Sequence, residues 1–357
     1  MSRDKIAFIS HPKSTKHHMP FPKPNLEAFE SPIRMQMAKS YLEKSGILEK
    51  TVQVRAPKAT LSDVRLAHTN YLIDTVKLMS KIGSGQLGEA AYASPDLLRT
   101  ALLSVGGAIK GADMVLSGDS EHAFVLMRPP GHHATTSNPM GLCYFNNVAI
   151  GVKHALKHDS IERVSVVDFD DHHGNGTSEI FYSDKNVQVI SIHEYDYENF
   201  GLGHFSEVGH GEATGTNINI PLVESSPDIS YEESINKVIE PALNRFKPDI
   251  IFVSAGYDAH YADPVGNMDV DSRTYWKFGD SIRKIVESQN VIGSVWALEG
   301  GYNVFALGPS IEASLHGLLG NATPLLDDQT ERVTHRSIID ANRQVISKVL
   351  EAIKPLW

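Results

Sequence analysis

VSVVDFDDHHGNGT, residues 164–177, joins two unlike kinds of sequence. It opens on a β-branched apolar run of strand length. It continues into three aspartates, two adjacent histidines and two glycines. A nearly continuous Val-rich run reads as a strand buried on both faces, the habit of parallel sheets. Open α/β sheets bind ligands just outside the carboxyl ends of their strands, where this polar cluster falls. Taken alone, DFDDHHGNGT (168–177) allows a metal site, an acid/base site, or a polar turn rich in His.

The same kind of run recurs along the chain. KIAFIS (5–10), HAFVLM (122–127), VQVISI (187–192), DIIFVSAG (249–256) and VIGSVWAL (291–298) read as further strands. Helical periodicity lies between them over 97–116, 147–156, 231–246, 274–287 and 338–353, with Ser94-Pro95 as a cap and first-turn pair for the first. SGQLGEAAYASP (84–95) reads as a loop. Strands alternating with helices predict an α/β fold, an open and mainly parallel sheet with helices on both faces. With no repeat or long linker, residues 1–357 read as a single domain.

Composition narrows the function classes. The chain has 357 residues, 41% hydrophobic and 21% charged, an ordinary globular balance. Its one cysteine, Cys143, excludes an intrachain disulfide and suits a reducing cytoplasmic setting; it reads as a small buried residue. The N-terminus lacks a signal-peptide core, and no run approaches the roughly 18 apolar residues of a membrane span, so no membrane partner is expected. A formal charge of -10 argues against direct nucleic-acid binding and leaves room for a cationic substrate.

Polar clusters close the other strands too: RPPGHHA (128–134), IHEYD (192–196), GYDAHYADP (256–264) and LEGGYN (298–303). If the strand continues through Asp168, Asp170 and His172, its period of two puts them on one face. Asp170 and His172 then reach one metal ion. Asp258 is the best third ligand, and Asp263, in a turn-like ADP, is the fallback. Three ligands and an open position fit catalytic Zn²⁺, and the oxygen-rich set also admits Fe²⁺ or Co²⁺. A calcium loop is excluded by His173 where glycine is needed, and a phosphate loop by its missing Lys. Pro129-Pro130-Gly131 delivers His132 and His133 together, one able to act as general base and then acid. Asp168 and Asn175 are placed to orient them. Tyr302, after two glycines, reads either as an oxyanion donor or as a turn tyrosine packed on the rim. No G-x-S-x-G elbow is present. Asp171 and His173 receive no role beyond a structural one.

These blocks, with MGLCYFNNVAI (140–150), resemble the signature blocks of the histone deacetylase superfamily, in order from about residue 5 to 320. The resemblance implies the arginase–deacetylase fold and hydrolysis of N-acetyl or other short acyl groups from lysine side chains. It implies zinc on Asp170, His172 and Asp258. His133 would be base and acid, His132 its electrostatic partner bonded to Asp168, and Tyr302 the oxyanion stabiliser. Gly141 would meet the substrate through its carbonyl, and Phe200 would wall the acyl tunnel. Leu142 stands where a second aromatic wall is usual. A structural K⁺ or Na⁺ is implied at Asp168, Asp170, His172, Ser191 and Ile192, and a second at Phe181 and Val187. Arg34 resembles an internal arginine near the acetate exit.

Asn175, LEGGY and RPPGHHA point to the class II-like, prokaryotic side of the superfamily. For substrate, an acyl-lysine protein or peptide competes with an acetylated polyamine. Val265 stands where one polyamine-selective branch carries a gatekeeper Glu, and 82–96 is too short for a dimerising insertion. Both favour acyl-lysine, while Glu194, Asp196 and Glu198 near the mouth favour a polyamine. A catalytically silent acyl-lysine binder would show a damaged ligand set, and an arginase-like enzyme would need more carboxylates. Oligomeric state is not specified.

Overall fold

The structure, a computed structural model, describes residues 4–19, 29–195, 202–324 and 332–357. Ten strands are present among them: β1 (Asp4–Ser10), β2 (Val52–Arg55), β3 (Gln86–Gly88), β4 (Ala91–Tyr92), β5 (Ser120–Leu126), β6 (Val164–Asp168), β7 (Val187–Glu194), β8 (Asn217–Leu222), β9 (Ile250–Ala255) and β10 (Ser294–Leu298). Eight form one sheet in the order β2-β1-β5-β10-β9-β6-β7-β8. Every pairing in it is parallel. β3 and β4 form a separate antiparallel hairpin.

Alternation along each strand feeds two cores. Val166, Phe252 and Val295 face one side, where the helices Leu97–Leu116 and Asn147–Ala155 pack. Val167, Val253 and Trp296 face the other, against the helices Ser272–Ser288, Leu307–Leu318 and Arg336–Ile353. Strands buried on both faces therefore read as unbroken apolar runs. No helix among the described residues is long and apolar enough to cross a membrane.

Topology gathers the polar clusters. β5, β10, β9 and β6 are consecutive neighbours at the centre of the sheet, and parallel pairing puts their carboxyl ends on one edge. Register levels those ends: Asp168 stands opposite Ser254, Leu298 opposite Ala255, and Ala297 opposite Val125. RPPGHHA, LEGGYN, GYDAHYADP and DFDDHHGNGT thus leave the sheet side by side.

The structure departs from the sequence expectation at four points. The stretch 84–95 holds the β3–β4 hairpin instead of a plain loop. The helix Leu97–Leu116 starts after Asp96, and Ser94 instead meets His17 Nδ1 through its hydroxyl at 2.7 Å. β2, β8 and the helices Pro32–Lys44, Asn70–Ile82, Asn175–Phe181 and Leu307–Leu318 were not expected. Finally, β6 ends at Asp168, so Asp170 and His172 do not continue a strand.

Candidate active site

After Asp168 the chain folds on its own carboxylates. Asp168 Oδ1 accepts from the backbone N of Asp170 (3.1 Å), and Asp170 Oδ1 from that of His172 (3.0 Å). Such Asx turns replace the missing strand period and still bring Asp170 and His172 to one side. Asp258 Oδ1 accepts from Asp171 N at 3.0 Å, tying the β9 end to the same turn. Ligand atoms of Asp170, His172 and Asp258 all lie within 4.8 Å of one another. His172 Nδ1 is 3.2 Å from Asp170 Oδ1 and 3.1 Å from Asp258 Oδ2. Asp170 and Asp258 are buried. Gly300 is required beside them, because a Cβ there would stand 2.1 Å from Asp258 Oδ2. Burial drives the Asp258 carboxyl up to about 6, with Asp170 adding to it. Burial disfavours charge on His172, yet the Asp170 and Asp258 carboxylates hold it well above the usual range. Two close buried carboxylates and a half-exposed imidazole, in surroundings that favour positive charge, fit a divalent ion.

The two histidines of RPPGHHA lie beside this cluster, ring centres 4.0 Å apart, with His133 6.0 Å from His172. Their partners differ. His132 Nδ1 meets Asp168 Oδ2 at 3.1 Å. Burial opposes charge on His132, but Asp170 and Asp168 raise it to about 10. His133 Nδ1 meets Asn175 Oδ1 at 2.7 Å. An amide oxygen only accepts, so Nδ1 of His133 carries the proton and Nε2 keeps its lone pair. Burial, His132 and His172 hold His133 well below the usual range. The surroundings of His132 thus favour its charged form, and those of His133 favour the neutral form.

Tyr302 lies on the turn after β10. Asp263 Oδ2 accepts from the backbone N of Tyr302 (2.6 Å) and of Asn303 (2.9 Å). Asp263, the fallback ligand, is thus a cap for this turn and stands outside the three-residue cluster. Arg34 is buried behind it, donating to Gly301 O and Glu299 O at 2.7 Å each, its guanidinium 4.6 Å from the Tyr302 ring centre. Gly141 takes a positive φ of 55° and packs on His133; a Cβ there would come 2.3 Å from that ring. Leu142, at φ 66°, lines a small cavity with His17, Glu30, Tyr92 and Tyr144. Val265 is half-buried, its N bonded to Asp263 Oδ1 at 3.0 Å. Ser191, Ile192, Phe181 and Val187 are all buried, Ser191 in register with Asp168. Glu194 accepts from Asn267 Nδ2 at 3.1 Å. Phe200, Asp196 and Glu198 lie outside the described residues.

Sequence reasoning gave no role to Glu299. It is buried, and Oε2 accepts from the backbone N of Gly131 (2.6 Å) and of His132 (3.1 Å), fixing the histidine loop from below. Burial raises its carboxyl to about 7. It also missed the buried pair of Arg128 and Glu30, joined at 2.7 and 2.5 Å. A charged residue directly after an apolar strand was the available signal for both.

A family model described as a histone deacetylase domain matches residues 28–318. The histone deacetylase-like amidohydrolase of Pseudomonas aeruginosa is 34% identical over 274 residues, covering 77% of this chain and 72% of that protein. The chloroplastic histone deacetylase 14 of Arabidopsis thaliana is 36% identical over 273 residues, covering 73% of this chain. This chain spans 64% of that plant protein's length. Among solved structures, the crystal structure of the HDA15 HD domain superposes with a TM-score of 0.89 at 29% identity, covering 99% of this chain and 95% of the other. The chain belongs to the histone deacetylase family.

Proposed function

We propose that this member of the histone deacetylase family is a zinc-dependent amidohydrolase that removes acetyl or other short acyl groups from lysine side chains in a reducing cytoplasm. One observation carries the reading. A compact Asp170–His172–Asp258 cluster stands beside two imidazoles whose different partners split their protonation. These three residues would hold Zn²⁺, with Fe²⁺ or Co²⁺ as substitutes. When bound, the ion polarises the amide carbonyl and lowers the pKa of the attacking water.

The chain's own groups do the rest. His133 Nε2 accepts the water's proton and returns it to the leaving amine. His132, bonded to Asp168, would supply positive charge beside the reacting carbonyl. The Tyr302 hydroxyl donates to the oxyanion that develops there, on a backbone fixed by Asp263 and Arg34. Gly141 O accepts from the substrate amide, while Leu142, Val265 and Phe200 wall the acyl chain. A structural K⁺ or Na⁺ is assigned to Asp168, Asp170, His172, Ser191 and Ile192, and a second to Phe181 and Val187. The register of Asp168 with Ser191 supports the first.

An acetylated polyamine is a second substrate reading, favoured by Glu194 at the carboxyl end of β7. The deciding measurement is kcat/KM of zinc-loaded enzyme on acetyl-lysine peptides, longer acyl-lysines and N-acetylpolyamines. Preference for acyl-lysine peptides by about 100-fold or more, a gap that buried polar recognition readily produces, supports the first reading. The reverse preference installs the second, and no turnover of any amide removes both.

A further inference from the structure

A second group of ligating side chains lies behind the imidazole pair. His132 follows β5, Glu299 follows β10, and Cys143 sits on the turn next to Gly141. A ring nitrogen of His132, the Cys143 Sγ and a Glu299 carboxylate oxygen lie within 4.8 Å of one another. All three residues are buried, at 3%, 0% and 0% exposure.

Two features are left over after the structural roles are subtracted. Glu299 braces the histidine loop with Oε2 alone; Oε1 is buried and has no hydrogen-bond partner among the described residues. A buried carboxylate oxygen without a partner is unfavourable. The Cys143 thiol meets Gly141 O at 3.2 Å, a weak contact. Beyond burial, Glu299 is the charge that acts most strongly on that thiol. Thiolate, imidazole and carboxylate together are a donor set for a soft or borderline divalent ion.

We propose that His132, Cys143 and Glu299 form a second, inhibitory metal site that takes Cd²⁺ or excess Zn²⁺. The charges balance: one thiolate and one carboxylate neutralise a divalent ion, and the imidazole ligates neutral. Binding releases to solvent the thiol proton and any proton on the ligating nitrogen or carboxyl. A coordinated His132 nitrogen carries no proton, so the positive charge beside the reacting carbonyl is lost. Inhibition therefore rests on the proposed deacylase reading, but binding does not.

The test starts from enzyme carrying one equivalent of zinc and adds Cd²⁺. Metal is counted by equilibrium dialysis with elemental analysis, and the ultraviolet cadmium–thiolate band reports Cys143, the chain's one cysteine. The expected result is a second equivalent, a thiolate band that grows with it, and turnover that falls in step. Cys143→Ala should abolish the band and weaken the second equivalent by roughly tenfold or more, with the first equivalent retained. Glu299→Gln should weaken it similarly. A second equivalent of unchanged affinity in Cys143→Ala, or no band in the unsubstituted enzyme at saturating Cd²⁺, overturns the site. If a variant fails to fold, the unsubstituted enzyme still decides, since cadmium replacing zinc on Asp170, His172 and Asp258 gives no thiolate band. A band in an enzyme inactive on every amide removes the deacylase reading and leaves the site standing. An active enzyme without a band does the opposite.

Discussion

The ligand cluster and the turn around Gly141 both adjoin the His133 ring but are held in unlike ways. Asp170, His172 and Asp258 hang from the carboxyl ends of β6 and β9, neighbours in the centre of an eight-stranded sheet. Their carboxylates bind backbone amides of their own and adjoining turns, as Asp170 Oδ2 does with Gly300 N at 2.8 Å. The Gly141 turn leans on the two-stranded β3–β4 hairpin. Gly141 N donates to Glu89 O at 2.9 Å, and Leu142 N to Ala90 O at 3.0 Å. A lone hairpin is marginal unless something packs on it. On the proposed reading, chemistry is built on the central strands of the sheet, and substrate contact on a separate two-stranded hairpin. Substitutions in the first region should abolish the reaction, and those in the second should retune it.

The sharpest break lies in the ligand cluster. Asp258→Ala should lose the metal and lower kcat by more than the roughly 10²–10³-fold typical of one oxyanion donor. Elemental analysis after dialysis checks it, and full zinc content would refute Asp258 as a ligand. Tyr302→Phe should lower kcat by about 10²–10³-fold with zinc retained. Unchanged turnover would sink the oxyanion role.

Legibility in the sequence follows the same division. The central strands were readable because burial on both faces makes them apolar throughout. β8 was not, because Asn217 and Asn219 interrupt the run; their side-chain amides are met internally, by Glu207 O among others. β2 alternates half-buried and exposed residues over four positions at the sheet edge, too short a signal. The helix Asn70–Ile82 had a findable start, the Thr69 hydroxyl accepting from Leu72 N at 3.4 Å. In the site, motif-local contacts such as Asp168 to Asp170 N made the cluster legible. Glu299 and Asp263 were illegible because their partners are 168 and 39 residues away along the chain. The hairpin that carries the Gly141 turn is short and bonded through its backbone, which leaves no side-chain pattern.

The peripheral region also differs in its response to acid. His17 packs edge-on against Tyr144 with ring centres 5.3 Å apart, and burial and Arg128 lower it to about 3. His68 Nδ1 donates to Thr135 O at 3.0 Å, so Nε2 must accept from Asn146 N at 2.8 Å, which fixes the neutral tautomer. Burial lowers His68 to about 4. Both folded values lie below the unfolded value of about 6.5. The unfolded chain therefore binds more protons as pH falls below 6.5, and stability is lost down to about pH 3–4. The slope is at most about 1.4 kcal/mol per pH unit for each imidazole. Denaturant unfolding at pH 7 and pH 5 should show the His68 share of this loss as the difference between the unsubstituted chain and His68→Gln, the variant losing less. Equal loss in that variant would remove His68 from the account.

The smallest expected effect tests the division most finely. Tyr144 Oη accepts from Tyr92 N at 3.0 Å and donates to Tyr92 O at 2.5 Å, latching β4 to the turn that carries Gly141. Tyr144→Phe removes the latch and leaves a buried ring of nearly the same shape. The loss in stability should be about 1–2 kcal/mol, the net worth of two hydrogen bonds. Among the described residues that hydroxyl bonds only Tyr92, so Gly300 N stays on Asp170 Oδ2 and Asp171 N on Asp258 Oδ1. Loosening the turn should raise KM several-fold while kcat stays within a factor of about two, the mark of lost uniform binding. The acyl-length profile should broaden at the same time, because Leu142 shares its cavity with Tyr92 and Tyr144. A fall in kcat matching that of Tyr302→Phe would mean that the hairpin positions His133 through Gly141. The periphery would then belong to the chemistry, and the division between the two regions would fail.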